Sequence, residues 1–245
     1  MKVVLFGGAT EGRTLSRELA VLGVDVTVCV ATDYGREEQG SFPGITVLTG
    51  RLDVDGMADI LRGADICIDA THPYAVQATA NIRAAAGRVG MPYHRLLRPS
   101  SALPEGSVLV KNAEEAAKYL ARTEGNILIT TGTKELPAFS GLDSARLYPR
   151  VLPVGESLVV CEAAGIPKRN IIAMQGPFSK ELNLALLRQF DIRFLATKDG
   201  GAAGGFGEKA AAAAEAGVKL LVIRRPVEEG EDFYAILQHC REMLI

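Results

Sequence analysis

The sequence predicts an α/β protein built from two doubly wound parallel-sheet domains with a cleft between them. Three observations predict it. Short runs of continuous apolar residues alternate with segments of helical periodicity, which is how strands covered on both faces read in sequence. The alternation breaks once, at Arg98-Pro99-Ser100-Ser101-Ala102-Leu103-Pro104-Glu105-Gly106-Ser107, a stretch with the composition of a linker, and then restarts. The 245 residues also have room for two domains of ordinary size. The first domain is placed at 1–100 and the second at 101–245.

In order, the apolar run 3–6 breaks at Gly7-Gly8, and Leu15, Leu19 and Leu22 then fall on one face of a helix. Residues 24–31 are apolar and β-branched, followed by a polar loop, Thr32-Asp33-Tyr34-Gly35-Arg36. Strand 45–48, a short helix through Met57, Ile60 and Leu61, strand 66–69, helix 76–89 and strand 93–97 complete the first block. The second holds strand 108–110, helix 113–122, strand 126–130, strand 146–152, helix 156–164 and strand 170–174. A helix then runs to Phe190 with Leu182, Leu186 and Phe190 on one face. Strand 192–196, an alanine-rich helix, strand 219–223 and a closing amphipathic helix through Phe233, Ile236, Leu237, Cys240 and Leu244 finish the chain. Strand 108–110 fits either sheet by pattern alone.

Composition excludes several classes. With 27 basic and 29 acidic residues the net charge is -2, so no overall field points to nucleic acid or an anionic membrane. No apolar run is long enough to span a bilayer. Cys29, Cys67, Cys161 and Cys240 are widely spaced and form no CxxC pair, as small core residues in a reducing compartment do. No signal peptide is read at the start, and the cytoplasm is the expected compartment. No cluster has metal-ligand spacing.

The chemistry concentrates at strand ends. At Gly7-Gly8-Ala9-Thr10-Glu11-Gly12-Arg13 a strand passes through glycines into a helix, whose first-turn N–H groups and dipole make an anion site suited to phosphate. The dinucleotide fingerprint G-x-G-x-x-G fails, because Ala9 stands where its middle glycine would be. Gly7, Gly12, Arg13 and Thr14 match the nucleotide-hydrolase P-loop except that Arg13 replaces lysine, and arginine's planar fork is no equivalent of that point charge. The loop Thr32 to Arg36 follows the second strand, where such folds meet an adenosine ribose: its hydroxyl and guanidinium suit a 2′-phosphate, whereas Asp33 suits a bare diol. Asp69-Ala70-Thr71-His72-Pro73-Tyr74-Ala75 ends the fourth strand, and Pro73 stiffens a loop that carries His72 and Tyr74 towards a ligand. Between Lys198 and Lys209 lie five glycines, a loop that either cradles an anion or moves as a lid. Arg51, Arg98, Lys134, Arg150, Lys198, Arg224 and Arg225 recur at strand ends, a means for a near-neutral protein to grip a polyanion.

With these motifs the chain resembles the precorrin-6A reductase family of corrin-ring (vitamin B12) biosynthesis. The matching pieces are the Gly7 to Arg13 turn, Asp69 to Ala75, Thr131-Gly132-Thr133-Lys134, Arg150-Val151-Leu152-Pro153, Gly176-Pro177-Phe178-Ser179, and Thr197-Lys198-Asp199 with its loop through Glu208-Lys209. They run in order over almost the whole chain; one departure is Gly200, where serine is common in the family. The resemblance implies two Rossmann-like domains without the usual fingerprint, a reduced nicotinamide cofactor (NADPH, with NADH as the alternative), and hydride transfer to a ring carbon of precorrin-6A or its cobalt form. The partner it implies is thus a small-molecule tetrapyrrole, with neighbouring corrin-pathway enzymes as further candidates. On this reading Gly7, Gly8, Thr10 and Arg13 hold the pyrophosphate, Thr32 and Arg36 meet the 2′-phosphate, and Thr71 lies near the nicotinamide. His72, Tyr74 and Asp199 are the candidate catalytic residues, and Arg98, Lys134, Arg150, Lys198 and Arg225 meet the substrate carboxylates. The competing expectations are a non-catalytic dinucleotide sensor and a P-loop-like hydrolase.

Overall fold

The computed structural model describes residues 1–98, 101–201 and 204–244. Two linker residues, Pro99 and Ser100, and two of the glycine-rich loop, Ala202 and Ala203, therefore lie outside the described residues. The chain divides into two compact units, Met1–Pro99 with Pro226–Ile245, and Ser100–Arg225. One division between the units falls between residues 99 and 100. The last twenty or so residues, however, do not stay with the second block; they return to the first.

The first unit runs β1 (Lys2–Phe6), α1 (Thr10–Val21), β2 (Asp25–Val30), α2 (Asp33–Gln39), β3 (Ile45–Thr49), α3 (Val54–Leu61), β4 (Ile66–Asp69), α4 (Val76–Val89) and β5 (Tyr93–Arg95). All five strands are parallel, in the order β3-β2-β1-β4-β5. Alternation along β1 explains the two covered faces. Val3 and Leu5 pack with Leu15 and Leu19 of α1, whereas Val4 and Phe6 pack with Met57, Leu61, Ile82 and Ala85 of α3 and α4. The polar stretch read as a loop from Thr32 is in fact the start of α2. It lacks apolar periodicity, and the Thr32 hydroxyl supplies the missing signal by accepting from Gly35 N–H at 3.1 Å as an N-cap.

The second unit runs β6 (Val108–Val110), α5 (Ala113–Leu120), β7 (Asn126–Ile129), β8 (Leu147–Val151), α6 (Gly155–Ala163), β9 (Ile172–Ala173), α7 (Lys180–Gln189), β10 (Ile192–Lys198), α8 (Phe206–Ala216) and β11 (Lys219–Ile223). Its six strands are parallel in the order β6-β11-β10-β7-β8-β9, so strand 108–110 belongs here, beside β11. Leu128, Leu195, Leu220 and Val222 of this sheet pack with Leu187, Phe206, Ala210 and Ala213. The inward face of α7 differs from the expected Leu182, Leu186 and Phe190. Leu182 is exposed, Leu186 and Phe190 are half-buried, and Asn183 and Leu187 are the residues that point in.

The closing helix α9 (Phe233–Glu242) lays Ile236, Leu237 and Cys240 into the core of the first unit, beside Leu15 and Leu19. The segment before it adds a further edge to β5. Glu231 N–H donates to Arg95 O at 2.9 Å, and Leu97 N–H donates to Glu231 O at 2.8 Å. Its apolar face finds in the first unit the cover that α1 alone leaves incomplete.

Candidate active site

In the first sheet the strand order reverses between β1 and β4, and the crevice beyond their carboxyl ends is where such folds bind ligands. Gly7 N–H donates to Cys29 O at 2.8 Å, and Gly8 then takes φ +122°, a conformation L side chains rarely adopt. The N-cap of α1 is Ala9, which contributes no side-chain acceptor to the first-turn N–H groups. A Cβ on Gly12 would lie 2.8 Å from the Cβ of Ala70, so glycine is what lets α1 sit against the end of β4. An open, small-residue turn at a helix N-terminus of twelve residues fits a pyrophosphate.

Beneath the neighbouring loop lies a buried ionic network. Asp69, fully buried at the end of β4, accepts from Thr71 N–H (3.0 Å), Thr71 Oγ1 (2.7 Å), Tyr93 Oη (3.0 Å) and Arg95 Nη1 (2.8 Å). Arg95 also donates from Nη1 to Thr71 O at 3.0 Å, and from Nε and Nη2 to Glu228 Oε1 at 3.1 and 3.0 Å. Burial, then the Asp69 charge, hold the Tyr93 phenol above its ordinary range, so it stays a donor. Above this network Tyr74 N–H donates to His72 Nδ1 at 3.3 Å and Ala75 N–H to His72 O at 2.7 Å, with the two rings 5.6 Å apart.

In the second sheet the order reverses between β7 and β10. Thr131, just past β7, is buried, and its Oγ1 has no hydrogen-bond partner among the described residues. Lys198 Nζ donates to Glu135 Oε1 at 2.9 Å, Glu135 lying on the 3-10 helix Thr133–Phe139. Asp199 accepts from Gly201 N–H (3.1 Å) and Ser101 N–H (3.4 Å) and pairs with Arg225, whose Nε also donates to Asp199 O at 2.7 Å. Arg150 is buried at the end of β8, stacked 4.0 Å over the Phe178 ring and donating to Asn183 Oδ1 at 2.8 Å. Burial lowers its pKa to about 10. Lys209, in the first turn of α8, is equally buried, and burial together with the Arg150 charge lowers its pKa to about 8.

The model of a family described as precorrin-6x reductase CbiJ/CobK matches residues 2–241. The chain belongs to that family. A cobalt-precorrin-6A reductase of Priestia megaterium is 34% identical over 250 residues, covering 99% of this chain and 98% of the relative. A precorrin-6A reductase of Mycobacterium tuberculosis (strain ATCC 25618 / H37Rv) is 31% identical over 234 residues, covering 92% and 89%. The solved structure of a CobK precorrin-6A reductase has the same fold: TM-score 0.79 at 23% identity, over 99% of this chain and 97% of that one. As a precorrin-6x reductase the chain is an oxidoreductase, which implies a nicotinamide cofactor and a tetrapyrrole substrate and sets aside the hydrolase and sensor readings of the Gly7 turn. No helix among the described residues is long and apolar enough to cross a membrane, and no group of three metal-ligating side chains comes together there.

Against this precorrin-6x reductase background the expected residues sort as follows. Gly7, Gly8 and Thr10 share the turn between β1 and α1. Arg13 lies instead on Glu38, donating to its carbonyl at 2.6 Å and its carboxylate at 3.0 Å. Thr32 caps α2, and Arg36 is exposed on it. Thr71 Oγ1 is drawn into the Asp69 network and towards Thr79 Oγ1 at 3.2 Å. Arg98 belongs to the first unit and pairs with Glu11 of α1 at 3.0 Å, while Arg150, Lys198 and Arg225 gather at strand ends of the second; Lys134 is exposed. His72 and Tyr74 stand together. Asp199 accepts from Gly201 N–H and Ser101 N–H and pairs with Arg225, which ties together the segments around it. Sequence reasoning missed Arg95, Tyr93, Glu228 and Asn183, and named Lys209 only as the end of the glycine-rich loop. A charged residue inside each of the short strands β4 and β5 was the available signal for the first of these.

Proposed function

We propose that this chain reduces a ring double bond of precorrin-6A, or of its cobalt form, with NADPH preferred over NADH. The observation that carries the reading is the Gly7-Gly8 turn into an N-terminus without a side-chain cap, with Gly12 closed on Ala70, in a precorrin-6x reductase. The bound dinucleotide supplies the hydride. Gly7, Gly8 and Thr10 seat its pyrophosphate, and Arg13, tied to Glu38, is a positioning residue that fixes α2 beside α1. Thr32 and Arg36 stand past the end of β2, and the exposed Arg36 guanidinium takes the 2′-phosphate, which is the basis of the NADPH preference. Thr71 stiffens the loop of His72 and Tyr74 over the Asp69–Arg95 pair. Because His72 Nδ1 accepts from a main-chain N–H, the neutral ring carries its proton on Nε2 and offers it as a hydrogen bond that orients the reacting ring of the substrate, while the proton on the carbon beside the one that takes hydride is drawn from solvent. Lys134, Arg150, Lys198 and Arg225 meet substrate carboxylates.

The test is titration with NADPH and NADH, followed by nicotinamide absorbance on adding precorrin-6A or cobalt-precorrin-6A. Dinucleotide binding with oxidation only when a tetrapyrrole is present supports the reading and names the substrate form; absence of binding by either dinucleotide overturns it. His72→Ala should lower kcat about 100-fold while the dinucleotide Kd stays within about twofold of the parent value.

A further inference from the structure

Asp69 and Glu228 set two carboxylates on the single guanidinium of Arg95, one more than charge balance requires. Asp69 and Arg95 are buried, and the Glu228 side chain is only 16% exposed, so the second carboxylate gives up solvation that neutralising Arg95 does not explain. Its geometry shows what it adds. Glu228 accepts from Nε at 3.1 Å and from Nη2 at 3.0 and 3.2 Å, along one edge of the guanidinium, and a carboxylate seated on that edge fixes the plane of the group. The remaining nitrogen, Nη1, is thereby aimed at Asp69 Oδ1 (2.8 Å), Thr71 O (3.0 Å) and Thr71 Oγ1 (3.2 Å). Thr71 O belongs to the peptide that leads into His72. The main chain holds Glu228 in place. Leu96 and Glu231 form a parallel bridge, and Gly230 permits the close approach: a Cβ there would collide with Arg95 O and lie 2.9 Å from Leu97 Cγ. Glu231 Oε1 meets His94 Nδ1 at 2.6 Å, so one returning segment grips two successive residues of β5.

We infer that Glu228 is a positioning residue for the reduction: acting through Arg95, it fixes the Thr71–His72 peptide and so the place from which His72 orients the reacting ring. Its bearing on catalysis rests on the function proposed above, whereas the chain of bonds from Glu228 to Thr71 stands without it. The role differs from that of Asp69, which bonds the loop directly at Thr71 N–H and Oγ1 and supplies the charge that Arg95 needs. Without Glu228 the guanidinium keeps that counter-charge but loses the contact that sets its plane, and Nη1 no longer has one fixed direction. A misplacement of about 1 Å at a group that orients substrate costs about 100-fold in rate, and a loop that is loosened rather than displaced should cost about tenfold.

The test uses the full chain and compares Glu228→Gln, which keeps the side chain's shape without its charge, with Glu229→Gln, the same change at the exposed neighbour. With cobalt-precorrin-6A and NADPH, Glu228→Gln should lower kcat about tenfold while the NADPH Kd stays within about twofold, and Glu229→Gln should match the parent. Glu228→Asp keeps the charge on a shorter arm and should recover part of the rate; a rate no better than that of Glu228→Gln overturns the role of charge. Combined with His72→Ala, Glu228→Gln should slow turnover no further than His72→Ala alone, because the loop no longer carries the group it positions. Losses that multiply in the double variant, or an unchanged kcat in Glu228→Gln, overturn the inference. Hydrogen exchange reads the loop without substrate: the amides of Thr71, Tyr74 and Ala75 should exchange faster in Glu228→Gln while those of α9 keep the parent rates. Acceleration throughout the first unit, or none at the loop, overturns it. A parent that oxidises NADPH with neither precorrin-6A nor its cobalt form overturns the proposed function, and faster exchange confined to the loop then still upholds the hold of Glu228 on it.

Discussion

Replacing Arg95 by methionine removes the one cation that Asp69 and Glu228 share. Asp69 is fully buried, and Arg95 is exposed by only 2%. In the variant Asp69 keeps three neutral donors, from Thr71 N–H, Thr71 Oγ1 and Tyr93 Oη, but loses its counter-charge. Removing one partner of a buried pair costs about 3–5 kcal/mol because an uncompensated charge stays behind. That is a fifth or more of the roughly 5–15 kcal/mol that separates folded from unfolded domains. Asp69→Asn should cost less, about 1–3 kcal/mol, because Glu228 still neutralises Arg95. The double variant should therefore be less damaged than the sum of the two, by a coupling of about 1–3 kcal/mol. The chain has no tryptophan, so urea unfolding is followed by far-UV circular dichroism, with hydrogen exchange of the β5 amides as a local probe. At a urea slope of about 2 kcal/mol/M the Arg95→Met midpoint should fall by about 2 M. A loss under about 1 kcal/mol, or strict additivity in the double variant, refutes the claim that the network is held by charge.

Gly12→Ala pushes a methyl group against Ala70 and should lift α1 from β4, costing about 1–3 kcal/mol and weakening the dinucleotide about tenfold, both measurable by denaturation and by fluorescence titration of NADPH. Lys209 supplies a pH signature. Its folded pKa of about 8 lies below the ordinary 10.5, so between those values the unfolded chain binds more protons and stability must rise with pH. The gain is about 3 kcal/mol at most, obtained as the difference in unfolding free energy between parent and Lys209→Met at pH 7 and pH 10.5; a difference that stays flat refutes the buried charge. Burial pushes the thiols of Cys29 and Cys240 up to about 12 and 11 and raises those of Cys67 and Cys161, so a thiol-specific reagent at pH 8 should find no reactive cysteine in the native chain and all four after unfolding.

The strands were legible because a parallel sheet buries both faces, which turns each strand into an apolar run that no helix periodicity imitates. Their carboxyl ends were legible for the same reason, and with them Gly7, Gly8, His72 and Tyr74. What the sequence hid was held by distant or polar partners. The seven residues of α2 carry no apolar stripe, and their start rests on one threonine hydroxyl. Asn183 occupies an inward position of α7 because Arg150 needs its carbonyl, so a leucine-based face was misleading. Glu228 lies 133 residues from Arg95, beyond any local pattern. Lys209 was legible as the end of the glycine-rich loop, but its burial was not, because it opens a run of alanines whose packing only the fold decides.

The return of Pro226–Ile245 to the first unit makes the second unit an insertion within it. A nascent chain leaving the ribosome can thus complete Ser100–Arg225 while the first sheet still lacks Glu228 beside Arg95 and Ile236, Leu237 and Cys240 over α1. The amino-terminal unit is finished last. An excised fragment of residues 1–98 would expose part of its core and carry Arg95 with only one of its two carboxylates, whereas a fragment of 101–225 keeps its sheet whole. Joining residue 98 to 226 through a short linker is the rearrangement that should release the first unit as an independent domain.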